Sequence, residues 1–174
     1  MKKVITLLIL LAVVISGEGC AEKTQANSTK ADVGMEKYTV IEVTSLEQIN
    51  AGLQKGPVFL KFGSRWCKAC RAMKPVFNEL AAEYGGKVTF MAVDVDQNLE
   101  LAKYFNVKII PDSSVIMGIE NGKYVYMQRD GSTGTDRSKA GIVGMHPKEV
   151  YEKLLNFALL QDEGSNSNEK EYSK

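Results

Sequence analysis

Residues 58–70 read Val58-Phe59-Leu60-Lys61-Phe62-Gly63-Ser64-Arg65-Trp66-Cys67-Lys68-Ala69-Cys70. Val58 to Phe62 is a compact apolar run, which predicts a buried central strand. From Cys67 to about Tyr84 apolar residues recur at helical spacing, so both thiols are expected at the start of a helix. Unpaired backbone N–H groups there favour a thiolate at Cys67, and Cys70 follows one turn later. The stretch therefore predicts a redox pair, in which one thiolate attacks a disulfide and the second thiol resolves the intermediate.

Predicted strands and helices alternate around this stretch. A capping box at Ser45 and Gln48 opens a helix to about Leu53, and Glu120-Asn121-Gly122 predicts a hairpin turn. Further strands are expected at residues 38–43, 88–95, 114–119, 123–128 and 142–143, helices at 99–105 and 147–160, and a polar loop at 129–141. In the last helix Val150, Leu154, Leu155 and Ala158 are expected to face inward. This order is typical of an α/β fold with a central mixed β-sheet sandwiched by helices.

Length and composition favour one globular domain. The 174 residues are 44% hydrophobic and 25% charged, with a net charge of +1. Without an excess of positive charge, nucleic acid is not an expected partner. We expect a signal peptide over residues 1–20, a flexible polar tether over 21–36, the folded domain over 37–160 and a disordered polar tail over 161–174.

The N-terminus has the pattern of a targeting segment. Met1-Lys2-Lys3 is basic, and Val4 to Ile15 is an apolar stretch that is shorter than the ~20 residues of a membrane span. The small residues before Cys20 resemble a lipoprotein signal, in which that cysteine is lipidated and becomes the mature N-terminus. Cleavage nearby and an uncleaved anchor are the alternatives. All three interpretations place the domain outside the cytoplasmic membrane, and we expect it to be anchored there through Cys20 or an uncleaved N-terminal segment.

The cysteine count favours redox chemistry over a structural role. The chain has three cysteines, so a single pair remains if Cys20 carries lipid. A disulfide framework would need more cysteines at wider spacing. A bridge between Cys67 and Cys70 closes so short a loop that it would stabilise the fold very little. No cofactor is expected beyond this redox-active disulfide.

Residues 38–160 resemble the thioredoxin family in more than the CxxC motif. The matching features are Trp66 before the first cysteine, Pro75 in the active-site helix and Val93 to Asn98 as an acidic strand-to-loop segment. The others are Ile110-Pro111 at the family's cis-proline position, Asn121-Gly122 in a hairpin and Val143-Gly144 in the last strand. The resemblance implies a thioredoxin fold over residues 37–160 and thiol–disulfide oxidoreductase activity.

The resemblance also implies a role for Pro111. In this family the proline follows a cis peptide bond, which is uncommon and tends to be kept for a purpose. It faces the disulfide, prevents the cysteines from binding metal and presents backbone to an extended substrate. An ordinary trans proline that opens the next strand is the alternative.

Two departures from the family concern the chemistry of the thiols. Lys68 and Ala69 stand where Gly-Pro is common, so the direction of electron transfer cannot simply be copied. Lys61 stands where thioredoxins have a buried aspartate that helps move the proton of the second cysteine. A charged Lys61 would favour thiolate, and a dry one, with its pKa lowered to ~5–6, would serve as a base. Alternatively, its ammonium group extends along the strand edge to water.

Other departures concern charge near the site. Arg65, Lys68, Arg71 and Lys74 surround the cysteines, so we predict a Cys67 pKa below the usual ~8.5. Asp112 replaces a threonine after Pro111. It would offset the positive field, select basic substrate segments, or lie in a surface turn. The stretch between Gly122 and Gly144 is longer than usual and is interpreted as a variable loop, with partner docking as the alternative. His146 is expected to start the last helix.

The leading functional hypothesis is a membrane-tethered, extracytoplasmic protein-disulfide reductase. Cys67 would attack disulfides of client proteins, Cys70 would resolve the mixed disulfide, and a membrane electron donor would recycle the pair. We expect a monomer. The alternative from a different class is a binding module with an idle or regulatory redox pair. A redox-linked metal carrier is a third possibility, although one CxxC and one histidine are a ligand short of a structural zinc site.

Overall fold

The computed structural model describes residues 39–171, with side chains placed as far as residue 162. The predicted signal peptide, the tether and Cys20 lie outside the described residues. The elements are strands β1 (Ile41–Glu42), β2 (Val58–Gly63), β3 (Thr89–Asp94), β4 (Asp112–Glu120), β5 (Lys123–Met127), β6 (Thr133–Gly134) and β7 (Ile142–Val143), and helices α1 (Leu46–Leu53), α2 (Lys68–Tyr84), α3 (Leu99–Tyr104), α4 (Arg137–Ala140) and α5 (Lys148–Glu171). Within residues 39–171 no helix is long and apolar enough to cross a membrane.

The strands form one mixed sheet in the order β1-β3-β2-β4-β5-β6, with β7 paired to β4. Strand β2 is central: it runs parallel to β3 and antiparallel to β4. Every residue of β2 is buried, as its apolar composition predicts for a strand covered on both faces. The mixed sheet sandwiched by helices confirms the predicted fold class.

Alternating side chains of β2 point into two separate cores. Phe62 joins a cluster with α1 and α3, where it contacts the Phe105 ring at 5.3 Å between centroids. Phe59 joins the cluster with α2 and α5, where its ring meets Phe77 at 5.1 Å and Tyr151 at 5.9 Å. Val150 is 39% exposed and Tyr151 is fully buried, so the expected inward position of Val150 is wrong. The large ring of Tyr151 fills the space over the sheet instead.

Residues 129–141, which we call the insert, were expected to form a polar loop but contain β6 and α4. Asp136 caps α4, since its side chain accepts the Ser138 N–H at 3.0 Å. Arg129 donates to the Gly141 carbonyl oxygen at 2.6 Å, and Ala140 is fully buried against the sheet. The polar composition hides this order because the insert is stabilised by capping and a few anchors rather than by an apolar stripe.

Within the tail predicted to be disordered over residues 161–174, the structure describes residues 161–171, and these belong to α5. Residues 161–171 include one glycine, two serines and two asparagines, which are poor helix formers, so their composition by itself does not predict this helix. Once the buried turns of α5 have nucleated the helix, each further residue adds a hydrogen bond at little cost.

Candidate active site

The two cysteines lie where β2 gives way to α2. Cys67 is the N-cap of α2 and Cys70 lies in its first turn, and the two form a disulfide with Cα atoms 5.2 Å apart. The backbone N–H of Cys70 donates to Cys67 Sγ at 3.1 Å. This N–H is one of the groups that a helix start leaves unpaired, so it would stabilise a thiolate on Cys67 in the reduced protein. The lowered Cys67 pKa stays a prediction, since both sulfurs are in the disulfide.

The Ile110–Pro111 peptide bond is cis and lies beside the disulfide. Cys67 Sγ is 3.9 Å from the Ile110 carbonyl oxygen, so the first cysteine is the one that faces this loop. The Pro111 carbonyl oxygen accepts the Gly144 N–H at 2.7 Å, which ties the loop to the end of β7. The structure thus brings together Cys67, Ile110 and Pro111, as the resemblance implies.

Trp66 is 69% exposed next to the disulfide, which is unusual for so large an apolar side chain. Its indole N–H donates to Asp96 Oδ1 at 3.2 Å. Asp96 lies in the acidic segment after β3, so the Trp66 ring is oriented by a contact with this segment and not by a contact with the disulfide. Such an exposed, oriented ring offers apolar contact to a protein substrate.

Gly63 is a site residue that the sequence analysis did not single out. A Cβ atom at this position would lie 3.3 Å from Cys70 Sγ and from Cys70 Cβ. A side chain at the last residue of β2 would therefore crowd Cys70, which would have to move by a few tenths of an ångström. The available signal was a glycine inside a buried strand, which often marks a close approach of another chain segment.

Lys61 lies under the helix that carries the cysteines. It is only 9% exposed, and its ammonium nitrogen is 4.8 Å from the centroid of the Phe77 ring. Among residues 39–162 this nitrogen makes no hydrogen bond or ion pair. Burial, with a smaller effect of the nearby Lys74 charge, lowers the pKa of Lys61. Its burial argues against an ammonium group surrounded by bulk water, and a role of Lys61 toward the thiols stays a prediction.

The lowered pKa of Lys61 gives a stability prediction. Below the folded-state pKa, Lys61 is charged in both states and the burial penalty is fully present. Between that pKa and the unfolded value of ~10.4 the unfolded chain binds more protons, so stability rises with pH. We therefore expect Lys61→Met to raise the free energy of unfolding at pH 7 by on the order of 1 kcal/mol. The gain should shrink as the pH approaches ~10.4.

Urea unfolding of the oxidised proteins at pH 7 and pH 10 measures this difference. Lys123→Met is the matched control, because the Lys123 side chain is exposed, lies outside the surroundings of Lys61 and should change stability little when it is removed. An equal effect of Lys61→Met at both pH values would show that burial of the charge is not its cause.

The remaining charged residues differ in their surroundings. Lys68 is exposed and Ala69 half-buried at the outer side of the α2 start, whereas Arg71 donates to the Arg65 and Trp66 carbonyl oxygens at 2.8 and 2.9 Å.

Asp112 is buried in a bidentate ion pair with Arg137 of the insert, at 2.9 and 3.0 Å. None of the three roles considered for Asp112 fits this geometry, because its charge is neutralised inside the protein.

His146 precedes α5, as expected. Its backbone N–H donates to the Tyr151 hydroxyl at 3.1 Å, and its ring Nε2 is 3.0 Å from the Val143 carbonyl oxygen. In the part of the chain that the structure describes, no group of three or more His, Cys, Asp or Glu side chains is placed to hold a metal ion.

Comparison with known proteins agrees with this geometry. A sequence model of the family described as Thioredoxin matches residues 39–142. The thioredoxin of Staphylococcus haemolyticus (strain JCSC1435) is 30% identical over 117 residues, covering 67% of this chain and 95% of that protein. The thioredoxin of Bacillus subtilis (strain 168) is 29% identical over 110 residues, covering 63% of this chain and 89% of that protein.

Solved structures share the fold. Thioredoxin from Trypanosoma brucei brucei superposes with a TM-score of 0.52 at 22% identity, over 69% of this chain and 91% of its own. Thioredoxin Mala s 13 from Malassezia sympodialis gives a TM-score of 0.52 at 21% identity, over the same shares. The fold and the Cys67–Cys70 disulfide define a thiol–disulfide oxidoreductase. The chain belongs to the thioredoxin family.

Proposed function

We propose that this protein reduces disulfides of client proteins outside the cytoplasmic membrane, to which its N-terminus tethers it. The observation that carries the proposal is the position of Cys67, at the N-cap of α2 and 3.9 Å from the carbonyl oxygen before Pro111. An extended client segment lying along this loop would bring its disulfide to the sulfur that the helix start activates. Trp66, exposed beside it, would contact the same client.

The proposed reaction has two exchange steps. The Cys67 thiolate attacks one client sulfur, the client disulfide breaks, and the client thiolate that leaves takes up a proton. The Cys70 thiol then loses its proton and attacks Cys67 Sγ, which releases the second client thiolate. The client gains two electrons and the protein is left with the Cys67–Cys70 disulfide. A membrane electron donor would return two electrons to this disulfide.

Reduction of insulin by dithiothreitol tests the activity. We expect the full chain to accelerate insulin precipitation well above the rate of a Cys67→Ser variant, because serine at pH 7 is not ionised and cannot replace the thiolate. Both proteins carry Cys20→Ser, so that the third cysteine cannot contribute. Equal rates for the two proteins would favour a binding module over a reductase.

Tethering is tested separately, by metabolic labelling with a fatty acid followed by membrane fractionation. The small residues before Cys20 and the apolar stretch up to Ile15 support lipidation. We expect label on the wild-type chain, none on Cys20→Ser, and release of that variant from the membrane fraction. An unlabelled wild type that stays with the membrane would indicate an uncleaved anchor instead.

A further inference from the structure

A cleft opens beside α2 on the Cys70 side of the disulfide, away from the loop that faces Cys67. Its volume is about 810 Å³, and the residues that give it its character are Lys61, Ser64, Cys70, Arg71, Lys74 and Asp94. We call it the basic cleft. It is distinct from the client-binding surface proposed above, because neither Trp66 nor Pro111 lines it.

Two mostly buried side chains in the basic cleft, Lys61 and Ser64, have no hydrogen-bond partner among the described residues. Lys61 and Ser64 are each 9% exposed. The buried Ser64 hydroxyl makes no hydrogen bond, and the Lys61 ammonium group lies over the face of the Phe77 ring and makes no hydrogen bond or ion pair with residues 39–162. Buried hydroxyl groups are almost always satisfied, so the unpaired Ser64 hydroxyl and the unpaired Lys61 ammonium group are two donors that an acceptor ligand in this cleft could use.

The charged residues around the basic cleft indicate which charge a ligand bound there would carry. The basic residues that line it are Lys61, Arg65, Arg71 and Lys74, and the acidic ones are Glu42 and Asp94. Asp94 is already engaged: it pairs with Arg65 at 3.8 Å and accepts the Gln97 amide and the Asp96 N–H, each at 3.0 Å. Cations are thus left in excess, so a ligand with negative charge and acceptor oxygens fits the cleft.

We propose that the basic cleft binds a small oxyanion, an inorganic phosphate or the carboxylate of an organic acid, held by Lys61 and Ser64. The ammonium group and the hydroxyl supply a charge-assisted and a neutral hydrogen bond, and Lys74 supplies a further positive charge at the rim. An anion bound there neutralises the positive charge of Lys61, which otherwise has no counter-charge in a site of low dielectric.

Isothermal titration calorimetry on the oxidised full chain tests the site, with sodium phosphate and sodium acetate titrated separately at constant ionic strength. We expect saturable binding of one anion per chain. The titrant with the higher affinity shows whether the site prefers phosphate or a carboxylate. Lys61→Met should weaken binding at least about tenfold, since it removes the charged donor. Ser64→Ala should weaken it by a smaller factor.

Lys123→Met is the matched control, because it removes the same charge from the exposed β4–β5 hairpin. Its affinity should equal that of the wild type. Absence of saturable binding of both anions, or equal weakening by Lys61→Met and Lys123→Met, would overturn the proposal. If Lys61→Met does not fold, Ser64→Ala and Lys74→Met decide the matter, and undiminished affinity in both would reject the site.

Discussion

Replacing Cys70 by serine is expected to turn the protein into a trap for its clients. Cys67 would still attack a client disulfide, but the serine hydroxyl cannot displace the client sulfur from Cys67. In the native protein Cys70 is the thiol placed for this step, at disulfide-bonding distance from Cys67. We expect a covalent complex to accumulate and insulin turnover to fall at least about a hundredfold.

The assignment of the two roles depends on where each sulfur lies. Cys67 Sγ accepts the Cys70 N–H and faces the Ile110 carbonyl oxygen, whereas Cys70 packs against Gly63 further inside the helix. A non-reducing gel of Cys70→Ser mixed with insulin should show a band that dithiothreitol removes. The double variant Cys67→Ser/Cys70→Ser should show none, and all proteins should carry Cys20→Ser. A trap formed by Cys67→Ser instead would reverse the roles.

Breaking the buried ion pair of the insert is expected to have the largest effect on stability. The Asp112 and Arg137 side chains are 5% and 15% exposed, and the guanidinium group lies 5.5 Å from the Phe62 ring centroid. Arg137→Met would leave the Asp112 carboxylate buried without its partner. Loss of one member of such a pair costs about 3–5 kcal/mol. This is a large fraction of the stability of a domain of ordinary size.

The double variant Asp112→Leu/Arg137→Met tests whether the loss of stability comes from the unpaired Asp112 charge or from the absence of the Arg137 side chain. Because it removes both charges, its stability should return to within about 1–2 kcal/mol of the wild type. Arg65→Met is the control for an exposed pair, since the Arg65 side chain is 86% exposed and 3.8 Å from Asp94. It should cost less than about 1 kcal/mol. Urea unfolding at pH 7 measures all three variants, and equal losses for Arg65→Met and Arg137→Met would show that burial of the Asp112–Arg137 pair is not the cause of the loss.

The central part of the fold was predictable because its signals are local. The apolar run of β2, the capping box before α1, the helical period of α2 and the Asn-Gly turn between β4 and β5 each depend on residues close in sequence. The placement of Cys67, Cys70 and Pro111 at one site was predicted from the resemblance to the thioredoxin family, which combines these local signals. Where a signal was weak, as in the polar residues of the insert and of 161–171, the prediction of a loop or tail was wrong.

Local patterns along the chain were enough to identify the redox pair, its place between a buried strand and a helix, and the α/β order of the elements. The folded structure was needed to see that Arg137 neutralises Asp112, that Cys70 packs closely against Gly63, and that Lys61 and Ser64 line one cleft. These contacts join residues that the local patterns do not connect. Periodicity and capping act over a few residues, whereas the partner of a buried charge is chosen by the packing of distant segments.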